Sequence, residues 1–329
     1  MKVLLFSHKS DIDGLGSVIL GSVAFSDFTY ELFEDVNDLE IKFRNYINLN
    51  YFDKFDRVFI TDLALYEPSL SMVASSELSK KVLVFDHHQA AINKGYGNYD
   101  FTTIHEVLDG KIKCGTELFY EYLVNNNLIN CNKCSDYFVE YTRLEDTWEW
   151  INNKEIGIKA HDLSILYNAL GREKYISAII YKLKNDDNFF YSELEEKLIN
   201  EKKEEYEKKL SEIVDDAEYL TDSNGNNFAV MFCDYQYRNE LPDFISNHGN
   251  SHNVKYIIIV AYDKGEYGQK SYRRVDTNFN VNDVAQAHGG GGHPGSAAVG
   301  ITKEQRDSAL SMSKTDAAKY LADAIYRKW

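Results

Sequence analysis

The chain has 329 residues, 44% of them hydrophobic, enough for substantial buried cores and more in keeping with two domains than one. Its 36 basic and 52 acidic side chains leave a formal charge of −16, which argues against a protein that grips long nucleic acid through a basic footprint. No apolar run approaches the ~18–20 residues of a membrane span, no signal-peptide pattern opens the chain, and four cysteines suggest no disulfide framework, so a cytoplasmic protein without a membrane partner is expected.

In chain order, Lys2-Val3-Leu4-Leu5-Phe6 reads as a strand that runs into Ser7-His8-Lys9-Ser10-Asp11-Ile12-Asp13-Gly14, with helical periodicity from Leu15 to Phe25. Arg57-Val58-Phe59-Ile60 is a second strand, ending in Thr61-Asp62, and a helical pattern follows from Leu70 to Leu78. Lys81-Val82-Leu83-Val84-Phe85 is a third strand, ending in Asp86-His87-His88. Near-continuous apolar strands separated by helices predict a parallel sheet covered on both faces, and such sheets bind ligands at the carboxyl ends of their strands. His8, Asp11, Asp13, Asp62 and His87 can therefore converge although they are dispersed in sequence. Such a mixed nitrogen and oxygen set suits Mn²⁺, and less exclusively Mg²⁺, Zn²⁺ or Fe²⁺. Taken alone, Asp11 or Asp62 would be read as a helix N-cap; donors recurring at three strand ends argue for a metal site.

Gly115 to Val124 and Tyr137 to Leu144 read as amphipathic helices flanking Arg143-Leu144-Glu145-Asp146-Thr147-Trp148. Long solvated helices are expected between Tyr175 and Val214, where the charge run from Glu193 to Tyr206 is a surface face that connects two lobes. Cys131-Asn132-Lys133-Cys134 has zinc-like spacing but no second pair to complete a site. In the second lobe, Phe228 to Cys233 and Val254 to Tyr262 are strands, another strand ends at Ser271-Tyr272-Arg273-Arg274, and a short helix spans Asn282 to Ala287. Four glycines, Gly289 to Gly292, then precede His293-Pro294; their backbone amides can approach an anion, with His293 adding a side-chain donor. Residues 304 to 326 are expected to close the chain as one helix. His105, His161, His248 and His252 match no motif and read as structural or surface residues.

The Ser-His, Asp-x-Asp-Gly, strand-end Asp, Asp-His-His, later Asp146 and Gly-Gly-Gly-His elements resemble, in order, those of the DHH phosphoesterases with their DHH-associated C-terminal domain, over residues 8 to 298. His8 stands three residues before Asp11, a slightly different gap from that of many relatives, so its loop is expected to bend differently. The resemblance implies an α/β fold: an N-terminal parallel-sheet catalytic domain (1–185), a helical linker (186–216) and a smaller α/β substrate-binding domain (217–329).

It also implies two divalent cations, Mn²⁺ with Mg²⁺ as the alternative, one held by His8, Asp11 and Asp62 and the other by Asp13, Asp62, His87 and Asp146. Asp62 would bridge the two. Asp86 would orient His87, and His88 would face the scissile phosphate or leaving oxygen as hydrogen-bond donor or general acid. Arg273, matching a Ser-x-Arg element, would contact substrate phosphate together with Gly290, Gly291, Gly292 and His293.

The implied activity is hydrolysis of short oligoribonucleotides to mononucleotides by two-metal attack of hydroxide on phosphorus. The alternatives are hydrolysis of cyclic or linear dinucleotides or 3′-phosphoadenosine 5′-phosphate, and, from another class, a catalytically dead nucleic-acid-binding relative. The partner expected is short RNA or a dinucleotide, and a homodimer is left open.

Overall fold

The computed structural model describes residues 1–153 and 155–322. The chain divides into two compact units, residues 1–202 and 203–329. Unit 1 runs β1 (Lys2–His8), α1 (Ile12–Ala24), β2 (Asp27–Phe33), α2 (Val36–Asn48), β3 (Arg57–Thr61), α3 (Glu67–Ala74), β4 (Val82–Asp86), α4 (Gln89–Asn93) and β5 (Thr102–Ile104). A small hairpin, β6 (Val107–Leu108) and β7 (Lys111–Ile112), leads into α5 (Gly115–Asn125), α6 (Lys133–Asp146), α7 (Ile156–Leu170) and α8 (Arg172–Asn185). α9 (Glu193–Asp215) carries the division between the units.

The unit 1 sheet is parallel, in the order β2-β1-β3-β4-β5. Alternation along each strand divides its apolar residues between two layers. Val3, Leu5, Phe59 and Phe85 face α1, α5, α6, α7 and α8, whose Leu15, Phe119, Phe138, Leu163 and Tyr175 complete one core. Leu4, Phe6, Val58, Ile60, Val82 and Val84 face α2 and α3, which supply Leu39, Phe43, Leu70 and Val73. Burial on both faces explains why β1, β3 and β4 read as continuous apolar runs. Phe189 also lies in the first core, so the chain just after α8 packs within unit 1.

The strand order reverses direction at β1, between β2 on one side and β3 on the other, and the crevice at such a switch point is where doubly wound sheets bind ligands. Register sharpens the geometry. Ser7 pairs with Thr61, and Thr61 with Phe85, so the next residue of each strand, His8, Asp62 and Asp86, forms one row at the carboxyl edge.

Unit 2 contains β8 (Glu218–Thr221), β9 (Asn227–Phe232), α10 (Leu241–Asn247), β10 (Tyr256–Ala261), β11 (Gln269–Arg274), α11 (Val281–Ala287), β12 (Gly291–His293), β13 (Ser296–Gly300), α12 (Lys303–Leu310) and α13 (Lys314–Ala322). Its mixed sheet has the order β12-β13-β11-β10-β9-β8, with β9 and β10 parallel and the other pairs antiparallel. The single closing helix expected over 304–326 is two helices. Ser311 ends α12, and the Ser313 hydroxyl accepts the Asp316 N–H at 3.2 Å to begin α13; residues 323–326 lie outside the described residues.

Candidate metal centre

His8, Asp11, Asp13, Asp62, Asp86, His87, His88 and Asp146 come together at the carboxyl edge of the unit 1 sheet. The donor atoms form three overlapping groups, each within 4.8 Å: His8, Asp11 and Asp62; Asp13, His87 and Asp146; and Asp62, Asp86, His87 and His88.

His8 ends β1. Its Nε2 lies 3.0 Å from the Glu34 carbonyl oxygen, which leaves Nδ1 to face Asp11 Oδ2 at 2.9 Å and Asp62 Oδ2 at 3.7 Å. Fixing one ring nitrogen on a backbone carbonyl is how a ligating imidazole is held in orientation. Asp11 does cap α1, accepting the Gly14 N–H at 3.0 Å, yet its second oxygen still turns to His8. Asp62 caps no helix: α3 begins after Tyr66. Instead Asp62 has φ 57°, a left-handed conformation uncommon for a residue other than glycine, and is buried. A strained, buried acid at a strand end is a feature that packing alone does not explain.

Asp13 is fully buried in the first turn of α1, and two backbone donors hold it: its Oδ2 accepts the Gly115 N–H at 2.7 Å and its Oδ1 the Thr116 N–H at 2.8 Å. The amino end of α5 thus stabilises the anion through its amides and dipole. His87 Nε2 stands 3.4 Å from Asp62 Oδ1, 3.6 Å from Asp146 Oδ2 and 3.7 Å from Asp13 Oδ2.

Asp86 departs from its expected duty. Its Oδ1 lies 2.7 Å from His88 Nδ1 and also accepts the His87 N–H at 2.9 Å, so the ring it orients is that of His88 rather than that of His87. This hydrogen bond raises the His88 imidazole to about 9, and the ring remains half exposed.

The donor set fits divalent cations. Asp62 Oδ2, His87 Nε2 and Asp146 Oδ2 are buried with no hydrogen-bond partner among the described residues, an arrangement that costs about 1–3 kcal/mol per group unless an ion or water satisfies it. Burial, with Asp13 and Asp11 beside it, pushes Asp146 up to about 8; burial and the surrounding carboxylates likewise push Asp62 well above the usual range. Cations between these acids would relieve the repulsion.

Gly115 and Thr116, which sequence reasoning did not single out, complete the centre; their only signal is their position at the start of a helix. A Cβ on Gly115 would lie 2.9 Å from the Asp62 backbone nitrogen, Cα and Cβ. Gly115→Ala is therefore expected to cost about 1–3 kcal/mol of stability and to weaken Mn²⁺ binding along with it, as read by thermal melting and calorimetric titration. Wild-type cation affinity in that variant would show that Asp62 and the α5 amides do not set the geometry.

In unit 2, the expected anion-binding residues lie around β11 and β12. Arg273 pairs with Ser296, and Ser296 with His293, so register aligns the three in one row on one sheet face. The glycine run behaves differently from the expected cradle. The Gly289 N–H donates to the Gln286 carbonyl at 3.0 Å and the Gly290 N–H to that of Ala285 at 2.9 Å, which closes α11 and removes both amides from anion binding. Gly290 and Gly292 are required by close approach: a Cβ would meet Ala298 O at 2.2 Å and Ser296 O at 2.4 Å. Gly291 and His293 are exposed on β12, and Arg274 is exposed with Nη1 donating to Thr277 O at 3.2 Å.

Five other histidines make structural contacts, among them His288, whose ring stacks on Tyr272. His161 stacks on Trp150, His248 on Phe244 and His252 on Tyr219, while the His105 N–H donates to the Asp86 carbonyl at 3.1 Å.

Residues 225–319 match the DHHA1 domain family. The chain is 29% identical over 308 residues to oligoribonuclease NrnB of Bacillus subtilis, covering 91% of this chain and 73% of that protein. Among solved structures it is similar to the DHH domain of a member of a family of ribosomal proteins (TM-score 0.53, 16% identity, 100% of this chain and 87% of the other). A second is the pGpG-specific phosphodiesterase PggH of Vibrio cholerae (TM-score 0.50, 12% identity, 98% of this chain and 100% of the other).

Proposed function

We propose, from the premise that the chain is a DHH-family, nanoRNase-like protein, that it is a Mn²⁺-dependent phosphodiesterase degrading short oligoribonucleotides to mononucleotides. The observation that carries this reading is the convergence at one sheet edge of donor groups from the ends of β1, β3 and β4 and from α1 and α6, with Asp62 and His87 each shared by two of the three groups. Similarity to a protein named oligoribonuclease supports the substrate class. We read unit 1 as the catalytic domain and unit 2 as the substrate-binding domain.

His8, Asp11 and Asp62 would hold one cation, and Asp13, Asp62, His87 and Asp146 the other. Bound there, divalent cations supply Lewis-acid stabilisation of charge developing on the phosphoryl oxygens. Asp13, clamped by the Gly115 and Thr116 amides, keeps its carboxylate fixed. The Asp86 carboxylate holds the His88 ring through Nδ1, and His88 gives a proton to the leaving sugar oxygen as its P–O bond breaks and the oxygen of a deprotonated water bonds to phosphorus in its place. Within unit 2, Arg273 and His293 are the residues we assign to substrate phosphate.

The −16 charge limits substrate length, because each phosphate beyond these local cation sites would lie over a repulsive surface. With Mn²⁺, turnover is expected to be highest for RNAs of about 2–5 nucleotides and to fall as the strand lengthens, with added salt narrowing the gap. The assay is a panel of RNAs from a dinucleotide to some tens of residues, with a cyclic dinucleotide, a linear dinucleotide and 3′-phosphoadenosine 5′-phosphate beside them. A preference for the longest RNAs overturns the short-substrate reading, and turnover confined to one of the other compounds transfers the assignment to it.

A further inference from the structure

After β9 the chain of unit 2 turns through a short 3-10 segment, Tyr235–Arg238. The turn is anchored by its first residue, whose N–H donates to both carboxylate oxygens of Asp263 at 3.0 and 3.1 Å. Its last residue folds back on the first. The Arg238 guanidinium carbon lies 3.8 Å from the centre of the Tyr235 ring, and Nη1 donates to the Tyr235 carbonyl at 3.0 Å. A guanidinium stacked on an aromatic face and tied by one nitrogen has its direction set.

That tie leaves the side-on edge, Nε with Nη2, without a protein acceptor among the described residues, and Nε is buried. Two parallel N–H groups on such an edge match two oxygens of a phosphate. Arg273 is in a similar state: it is half-buried and, among the described residues, donates only to the carbonyls of Tyr272 and Ala297, at 3.0 and 3.4 Å. Burial and the nearby Arg238 cation both push its guanidinium below the ordinary value. Among the described residues no carboxylate lies within ion-pair distance of Arg238 or Arg273. Arg143 shows the alternative, held between Glu140 and Glu149.

Two partly buried neighbouring cations without a counter-charge are unfavourable unless an anion joins them. The floor beside Arg273 is low: register sets Ser271 opposite Ala298, and Ala298 opposite Gly291, a row of small residues next to the row of Arg273, Ser296 and His293. Lys264, 5.0 Å from the centre of the Tyr235 ring, adds positive charge at the rim.

We propose that Arg238, braced on Tyr235, is the second cation of the phosphate-binding face to which Arg273 belongs, and that the pair takes a terminal phosphate, whose second negative charge an internal diester lacks. The inference rests on the reading of unit 2 as a substrate-binding domain. It adds a residue with no counterpart among those singled out from the sequence, and a preference for phosphate-ended substrates.

The first test needs no turnover. Adenosine monophosphate and adenosine are titrated calorimetrically into the full chain in EDTA, where the metal-free acids of unit 1 repel the nucleotide and the unit 2 cations attract it. Arg238→Ala is expected to weaken adenosine monophosphate binding about tenfold or more and to leave adenosine unchanged, with Arg238→Lys intermediate because it keeps the charge and loses the fork. Arg273→Ala serves as the comparator. Unchanged affinity for the nucleotide in Arg238→Ala overturns the proposal, as does a wild type that does not distinguish nucleotide from nucleoside. Should thermal melting show Arg238→Ala to be unfolded, the same comparison is made with Arg238→Lys, and a wild-type titration there overturns the proposal.

The second test compares dinucleotides with and without a terminal phosphate. Arg238→Ala is expected to lower kcat/KM about tenfold for the first and to leave the second within about twofold. Equal loss on both assigns Arg238 to an internal phosphate and overturns the terminal one. A wild type inactive on every short RNA defeats the proposed function and leaves the titration to decide the inference separately.

Discussion

Asp62→Asn is expected to lower hydrolysis of a short RNA by about 10³-fold or more, because it removes a charge-stabilising arrangement worth several kcal/mol to the transition state. Asparagine is the informative replacement. Position 62 has φ 57°, which asparagine tolerates better than alanine, so the variant changes charge without adding backbone strain. The metal-free protein should respond in the opposite sense. Burial first, then Asp13, Asp11, Asp146 and Asp86, raise the Asp62 carboxyl, and a carboxyl raised by folding favours the fold only below its unfolded value and loses that contribution as pH climbs. In EDTA, Asp62→Asn should therefore melt a few degrees above the wild type at pH 8 and show a smaller advantage at pH 5. Adding Mn²⁺ should raise the wild-type midpoint and barely move the variant. Near-normal turnover, or unchanged Mn²⁺ stabilisation in the variant, would defeat the assignment of Asp62 as the shared ligand.

His88→Ala is expected to reduce kcat by about 10²- to 10⁴-fold with a much smaller change in KM, the signature of a group used in the transition state and not in binding. Asp86→Asn tests the same proton path one bond further back. It removes the anionic acceptor 2.7 Å from His88 Nδ1 and should cost about 10- to 100-fold in kcat. The two losses should not add, since each variant disables the same ring. Calorimetric Mn²⁺ titration separates this role from ligation: His88→Ala should still bind the cation. Multiplying losses, or a Mn²⁺ affinity that collapses in His88→Ala, would refute the role given to His88.

What the sequence disclosed, it disclosed where burial leaves a pattern. β1, β3 and β4 are apolar on both faces and end in acids or imidazoles, so strand and ligand are read together. β2 escaped because it is an edge strand with polar residues Asp27, Thr29 and Glu31 along one side, and α2 because Glu40, buried and bonded to Ser69 and the Tyr66 N–H, breaks its apolar stripe. α7 gets no capping bond from Glu155, the residue just before it; the Asn153 side chain, which accepts the Glu155 and Ile156 N–H groups, stands further back and blurs where the helix begins. The glycine run shows how one composition serves two ends: glycine lets an amide reach an anion, but it also lets a helix close and a neighbouring strand approach, and here Gly289, Gly290 and Gly292 do the latter. Arg238 was illegible because its significance lies in what does not pair with it, and a sequence records no missing partners.

The row of His8, Asp62 and Asp86 at the sheet edge, joined by Asp13 and Asp146, also bears on the order of assembly. These side chains come from strands and helices separated by up to well over a hundred residues, and parallel pairing between distant segments is slow because chain closure precedes the contacts that reward it. A partly formed sheet that lacks β4 or α6 has only a fragment of the donor set, and its clustered negative charge is smaller in proportion. The repulsion among these acids thus rises as the last elements dock, so it burdens the final stage of folding more than the early collapse. A cation present at that stage acts late and locally: it favours the finished sheet over its incomplete precursors, and it ties the opening of β1, β3, β4 and α6 to one another once they are in place.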